Sequence, residues 1–391
     1  MNRRSQILID TEQLDLGGGR FAEPQRIAAS PFGMVSTAHH CATDVGKAVL
    51  QAGGNAIDAA VASALAIGVC EPAASGIGGQ TMMLIHTTDP RRTFALDGSS
   101  RAPNRATPEL FQDRQARLRG HRATTVPSTL AVLAFALREH GTMTLDQVMQ
   151  PVVHLAKEGY PISPLQHRLT KRELGDLRAG SAAEFFLRDG KRPHAMGATF
   201  RQPTLAKTLA RIARHGIEDF YQGQIARQIH KDMEANGGLL RQDDLAQIPQ
   251  PIERRPLSCN FDGSRVITFP PPGAGRTLVE MLHILEHVPP NQRTPDTPLG
   301  AVALSEVIRR AFMDRRDRPF DPAFYAQIDD KHMMSPAYAE KVAKQIRRRI
   351  KTQGETTHLS VMDRMGNAVG LTQSIERVYG SAAASPELGF L

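Results

Sequence analysis

An α/β fold is what this sequence predicts, on three observations. The stretch Ala56–Cys70 is apolar and built from small residues on every side, as in a helix packed closely on all faces. Strand patterns occur at Thr81–His86, at Arg265–Phe269 and on both sides of a turn at Arg364–Gly366. Amphipathic helical periodicity fills much of the chain between Thr129 and His287. The 391 residues are 41% hydrophobic and 23% charged, which excludes a disordered or fibrous chain. The length allows two or three domains, but no repeat or low-complexity segment divides it, so one compact α/β body is the simplest organisation.

Residues 1–32, with Gly17–Gly19 and no periodicity, read as a flexible N-terminal arm, and order is expected from about Gly33. Asp44–Gln51 has a short helical pattern that ends at Gly53-Gly54. Asn55 can then cap the helix from Ala56 to about Val69, with Asp58 in the capping-box position. The segment SGIGGQTMMLIHT places glycines before the strand Thr81–His86. It lacks a Walker lysine and the dinucleotide spacing, so nucleotide binding is rejected. Helices are expected at Thr129–His140, Thr144–Gly159, Thr204–Gly216, Tyr221–Asn236 and Leu278–His287, with PPPGAG (Pro270–Gly275) punctuating a return from strand to helix.

Other classes of function are excluded on composition. No apolar stretch reaches the roughly 18 residues a membrane span needs, and MNRRSQILID lacks the apolar region of a signal peptide, so a cytoplasmic chain is expected. Cys41, Cys70 and Cys259 have no CxxC spacing and read as core thiols. His39, His40 and Cys41 are adjacent but have no distant carboxylate or second His pair, so packing is expected and no metal. Ser305–Lys351 holds 12 Lys and Arg against 7 Asp and Glu within a net charge of +8. No recognition helix or aromatic platform accompanies this excess, so it reads as a solvated helix face, not a nucleic-acid site. Arg347–Arg349 read as a basic linker.

The tail changes from helical to strand pattern. If Arg364-Met365-Gly366 is a three-residue loop with Gly366 left-handed, Asp363 pairs with Asn367 and a register follows. It places Leu359 and Val361 with Val369 and Leu371 on one apolar face. Thr356, His358 and Ser360 then oppose Gly370, Thr372 and Ser374, and Thr356 faces Ser374 directly. Strand statistics by themselves favour a plain cross-strand pair of hydroxyls here.

Seven segments, in order, resemble the γ-glutamyltranspeptidase (γ-glutamyltransferase/glutathione hydrolase) family: the block from GMVSTAHHC to SGIGG, then PVVHLAKEGYPIS, DFYQGQIA, GGLLRQDDLA, FPPPGAG, AFMDRRDRPFDPAFY and TTHLSVMDRMGNAV. The resemblance implies a four-layer αββα N-terminal nucleophile hydrolase made as a precursor that cuts itself before the first Thr of TTH. Here that is the Glu355–Thr356 bond, giving a large-subunit region, 33–355, and the start of a small subunit, 356–391. It also implies that Thr356 is the nucleophile. A threonine hydroxyl needs a base within hydrogen-bond reach, and an α-amine freed by the cut, with a pKa of about 7.7–8.0, supplies one. The implied reaction takes a γ-glutamyl or related acyl group from an amide such as glutathione to water or an amino acid, with no metal or organic cofactor and no nucleic-acid or membrane partner. Ser374 matches a position usually held by Thr, where a hydroxyl supports the nucleophile.

Three departures accompany the resemblance. The family's carboxylate-gripping arginine lies three residues before an Ala-Pro, whereas Ser99 stands at that distance from Ala102-Pro103 and Arg101 is displaced by two. Glu376 stands where transpeptidases often have a substrate-binding Asn. Arg101 and Glu376 remain the substrate-binding candidates, but a hydroxyl is a poor substitute for a bidentate arginine, so a cephalosporin- or glutaryl-acylase-like hydrolase is the alternative. Third, 36 residues run from Thr356 to Leu391, several-fold fewer than in the family's small subunit. The sandwich is therefore expected to be incomplete at its C-terminus and to lack the family's oxyanion Gly-Gly, which leaves a non-catalytic remnant needing a partner as a further reading.

Overall fold

The computed structural model describes residues 28–113, 115–247, 250–294, 297–316, 332–346, 357–374, 385 and 387–389. The chain divides into two compact units. The first takes in the described residues up to Arg92, Leu96–Ile252 and those after Thr356; the second takes in Thr93–Ala95 and the described part of Glu253–Glu355. The single body expected from the sequence is thus two, because a second apolar cluster closes on itself. Ile284, Val307, Ala339 and Val342 lie at its centre.

The first unit opens with β1 (Gly33–Ser36), α1 (His40–Gln51) and α2 (Ala56–Cys70). α1 starts four residues before the expected Asp44 because the His39 ring caps it, accepting the Cys41 N–H at 3.3 Å. α2 carries the expected capping box: Asn55 Oδ1 accepts from the Ile57 and Asp58 amides, and Asp58 Oδ2 accepts from the Asn55 amide at 2.8 Å. Every residue of α2 except Gly68 is buried. A Cβ at Gly68 would sit 3.2 Å from the Gly76 Cα, so the glycine permits the loop to pass across the helix. Asp58 is fully buried and also accepts from the amides of Thr142 and Met143 and the Thr142 hydroxyl, which replaces the water its carboxylate loses.

β2 (Gln80–Thr88) and β3 (Arg91–Gly98) follow. Next come α3 (Thr129–His140), α4 (Leu145–Glu158), β4 (Tyr160–Pro161), α5 (Pro164–Arg172), α6 (Leu174–Ala179), α7 (Ala183–Phe186) and β5 (Thr199–Phe200). α8 (Pro203–His215), α9 (Glu218–Tyr221), α10 (Gln224–Ala235) and α11 (Gln242–Ala246) complete this stretch. The helices expected at 129–140, 144–159, 204–216 and 221–236 are all present, the second capped by a reciprocal Thr144–Gln147 box. β3 escaped the sequence reading because Arg91 and Arg92 break its alternation.

β6 (Ile252–Arg254) leads into the second unit, where β7 (Leu257–Phe261) and β8 (Ser264–Thr268) form a hairpin. Asp262 and Gly263, both at positive φ, make its two-residue loop. α12 (Gly275–Glu286), α13 (Pro298–Arg316) and α14 (Pro336–Ile346) supply the apolar cluster. Among the described residues of the basic stretch, Arg309 pairs with Glu306 and Lys344 with Glu340 within their own helices, at 2.7 Å each. Tyr338 is buried and donates to Asp314, which pushes its phenol up to about 12. No described helix is long and apolar enough to cross a membrane.

β9 (Thr357–Asp363) and β10 (Ala368–Ser374) return to the first unit. The main sheet has the order β1-β9-β10-β2-β3-β6. The hairpin register is the expected one: Val369 pairs with Val361, Leu371 with Leu359, and Gln373 with Thr357. Gly366 has φ +84°, and Val361, Val369 and Leu371 are buried on the face that meets α2. Asp363 fixes the turn: it accepts from the Met365 and Asn367 amides and the Asn367 side chain, and from the Ala56 amide at the start of α2.

Candidate active site

One end of the main sheet gathers the residues that carry the expected chemistry. β9 begins there with Thr357, β10 ends there with Ser374, and β2 begins there with Gln80, which pairs with Ser374. β3 leaves the same end through Gly98, where a Cβ would come within 2.8 Å of the Thr81 carbonyl oxygen. Four chain segments thus enter or leave the sheet at one place, because antiparallel pairing brings successive strand ends to the same edge.

The loop after β3 is held at this end by specific bonds. Gln80 Oε1 accepts from the Ser100 amide at 3.0 Å, joining the first residue of β2 to the loop that carries Arg101. Ser99 donates to Asp97 Oδ1 through its amide at 3.0 Å and its hydroxyl at 2.6 Å. Ser99 therefore acts as a local brace for the turn. Arg101 Nη2 donates to the Asp244 carbonyl oxygen of α11 at 2.8 Å, while its Nε is buried without a partner among the described residues. The same loop is clamped again by Asn104, whose amide donates to Asp244 Oδ1 at 2.7 Å, and by Arg105 with Asp243 at 3.0 Å. The Arg105 guanidinium beside Asp243 holds that carboxyl below the usual carboxylate range.

The sequence-expected residues fall into two groups. Ser374 and His358 lie on β10 and β9, and Arg101 is placed as described. Glu355, Thr356 and Glu376 lie outside the described residues. Gln80 and Ser100 were not singled out from sequence. The one available signal was position, since Gln80 is the first residue after the glycines of GIGG.

His39, His40 and Cys41 lie beyond β1, whose Ser36 pairs with Ser360 of β9. The two imidazoles stack with centroids 4.6 Å apart, and His39 also meets the edge of Tyr160 at 5.3 Å. Burial, with the neighbouring His40, lowers the His39 pKa to about 4, so its ring is neutral at physiological pH.

With the geometry established, comparison with known proteins is informative. A model of the Gamma-glutamyltranspeptidase family matches residues 42–391. The chain is 34% identical over 382 residues to the glutathione hydrolase proenzyme of Escherichia coli (strain K12), covering 92% of this chain and 65% of that protein. It is 32% identical over 395 residues to the acylase ACY 1 proenzyme of Pseudomonas sp. (strain SE83), covering 95% of this chain and 70% of the relative. The chain thus spans about two thirds of the length of these relatives. Among solved structures, it resembles Helicobacter pylori gamma-glutamyltranspeptidase with a TM-score of 0.76 and 32% identity, over 84% of this chain and 95% of that one. It resembles the cephalosporin acylase of Bacillus halodurans with a TM-score of 0.83 and 29% identity, over 96% of this chain and 71% of that one. The mixed helix-and-sheet sandwich is therefore that of N-terminal nucleophile hydrolases.

Proposed function

The chain belongs to the γ-glutamyltranspeptidase family, and from that premise we propose that it is an N-terminal threonine amidohydrolase. It cleaves itself between Glu355 and Thr356, dividing a large piece from one that begins at Thr356. It then moves a γ-glutamyl or related acyl group from an amide to water or an amine. The observation that carries this reading is the hairpin register, in which Thr357 pairs with Gln373. Thr356 lies outside the described residues; the register expected from the sequence would, one residue further, oppose it to Ser374, and directly opposed residues have Cβ atoms about 4.5–5.5 Å apart, within reach of hydroxyl-to-hydroxyl hydrogen bonding.

The chemistry follows from these atoms. In the precursor, Thr356 Oγ1 attacks the Glu355 carbonyl carbon and the peptide nitrogen leaves as the Thr356 α-amine, taking the hydroxyl proton; water then opens the ester, freeing the Glu355 carboxylate and the Thr356 hydroxyl. That amine removes the hydroxyl proton for the second reaction, in which Oγ1 attacks the substrate amide and the leaving amine departs with a proton. The acyl ester is resolved by water or by a second amine. Ser374 supports Oγ1 as a hydrogen-bonding neighbour. Arg101 and Glu376 remain the substrate-binding candidates.

An acylase reading is favoured by one further observation. Ser99, which stands three residues before Ala102-Pro103, donates its hydroxyl to Asp97 Oδ1, so the two parallel bonds that an α-carboxylate demands are not supplied from that position. An acyl group with no α-carboxylate makes no such demand, and the Pseudomonas relative is named an acylase. The two readings separate on substrate. The purified chain and its Thr356→Ala variant are offered γ-glutamyl and butyryl anilides in parallel, the second lacking the carboxylate that γ-glutamyl and glutaryl groups both carry. Aniline release by the parent chain alone supports the threonine amidohydrolase, and the preferred acyl group decides the pocket. Equal release by the variant, or none from either anilide, contradicts the proposal.

A further inference from the structure

His39, His40 and Cys41 are the described group of His, Cys, Asp and Glu side chains whose ligand atoms converge: one atom from each lies within 4.8 Å of the other two. The convergence is local in origin. β1 ends at Ser36, the chain bends, and α1 starts at His40, so three consecutive side chains leave the backbone around one helix entrance and not along a helix face. Cys41 Sγ is 3.3 Å from His40 Nε2. Zinc bonds of about 2.3 Å to sulfur and 2.0–2.1 Å to nitrogen in a tetrahedron place such a pair about 3.5 Å apart, close to the observed separation. His39 Nδ1 accepts the Cys41 amide proton and therefore bears a lone pair, leaving the ring proton on Nε2.

We infer that His39, His40 and Cys41 form a binding site for a thiophilic transition-metal cation of the zinc class. The donor set of two imidazoles and one thiolate suits such an ion and is ill matched to the oxygen-seeking magnesium or calcium. Cys41 lies in the first turn of α1. Binding balances as follows. The thiol proton is released to solvent, Sγ and His40 Nε2 each donate a pair, and His39 Nδ1 donates the pair now spent on the Cys41 amide. His40 is exposed, so its ring can turn to close the set. Its exposure also leaves the fourth position open to water. The edge of Tyr160, with ring centroids 5.3 Å apart, flanks the His39 ring.

The site is independent of the proposed amidohydrolase activity, and its test reads metal directly. Cobalt(II) is titrated into the full-length metal-stripped protein and the near-ultraviolet thiolate-to-cobalt charge-transfer band is followed, with zinc then added to displace it. One equivalent is expected to develop the band and zinc to abolish it. Cys41→Ser should remove the band, and Cys259→Ser, which alters a thiol in the other unit, should retain it. Because Cys41 is buried and its variant can fold poorly, His40→Ala at an exposed position provides the second reading, with cobalt affinity expected to fall at least tenfold. No band at stoichiometric cobalt, an unchanged affinity in His40→Ala, or loss of the band in Cys259→Ser would overturn the assignment.

Discussion

Two buried carboxylates bear more on stability than any ion pair of the first unit. Asp58 accepts from three backbone amides and one hydroxyl, and Asp363 from three amides and one side-chain amide. Removing such an acceptor leaves buried donors unpaired, so Asp58→Ala is expected to lower the unfolding free energy by about 3 kcal/mol or more in urea titrations. Exposed pairs such as Lys344 with Glu340 are worth under about 1 kcal/mol. His39 supplies a pH dependence. Its folded-state pKa of about 4 lies below the unfolded value near 6.5, so the unfolded chain binds the proton first. Its contribution is complete above about pH 6.5 and is lost as pH falls through that window toward 4. His39→Asn keeps a capping acceptor but removes the titration, and the drop in Tm between pH 7.5 and 5 should become smaller in that variant. Residue-level chemistry was only partly legible in the sequence. The Asn55–Asp58 capping box was read from spacing alone, but the bonds of Asp58 to Thr142 and of Asp363 to Ala56 join positions far apart in the chain, which local pattern does not report.

The β9–β10 hairpin was the element most completely legible, because a three-residue loop with glycine at its left-handed position sets every later pair. Gly366→Ala should cost about 1–2 kcal/mol in chemical denaturation, since a side chain is disfavoured at φ +84°, and Gly366→Asn should cost less. An added residue in the loop would move Val361 to the opposite face from Val369 and Leu371, and a cooperative transition should then be lost. The β7–β8 hairpin was half read. Arg265–Phe269 was expected as a strand, whereas its partner Leu257–Phe261 was missed despite the Asp262-Gly263 loop that joins them. Neither flanking strand alternates cleanly, so the turn was the stronger signal. Ser305–Lys351 was read as a solvated helix face, and the structure has α13 and α14 there; their buried side went unread, because dense charge masks the apolar positions Val307, Ala339 and Val342.

At the scale of the molecule, the two-unit division was not read from sequence, although Pro249, Pro251 and Pro256 flank Ile252 and Glu253 with the composition of a linker. Each unit has its own buried cluster, and changes in one should act there first. Val307→Ala is expected to cost about 1–3 kcal/mol and to raise hydrogen exchange in α12 and α14 while amides of α2 stay protected. Equal loss of protection in α2 would contradict the separation. The units are set by packing and the proposed division at Glu355–Thr356 by chemistry, so the two partitions of the chain need not coincide. Seven ordered motifs made the family legible from sequence, and the sheet end shared by Ser374, Gln80 and Ser100 adds what those motifs alone did not reveal. The claim on which the whole account turns is that Thr356 is a working nucleophile. Intact mass spectrometry of the purified chain after a day at neutral pH, beside Thr356→Ala, tests it most directly. Two pieces meeting at Glu355–Thr356 in the parent and a single uncut species in the variant are predicted; an uncut parent, or cleavage at that bond in the variant, would contradict it.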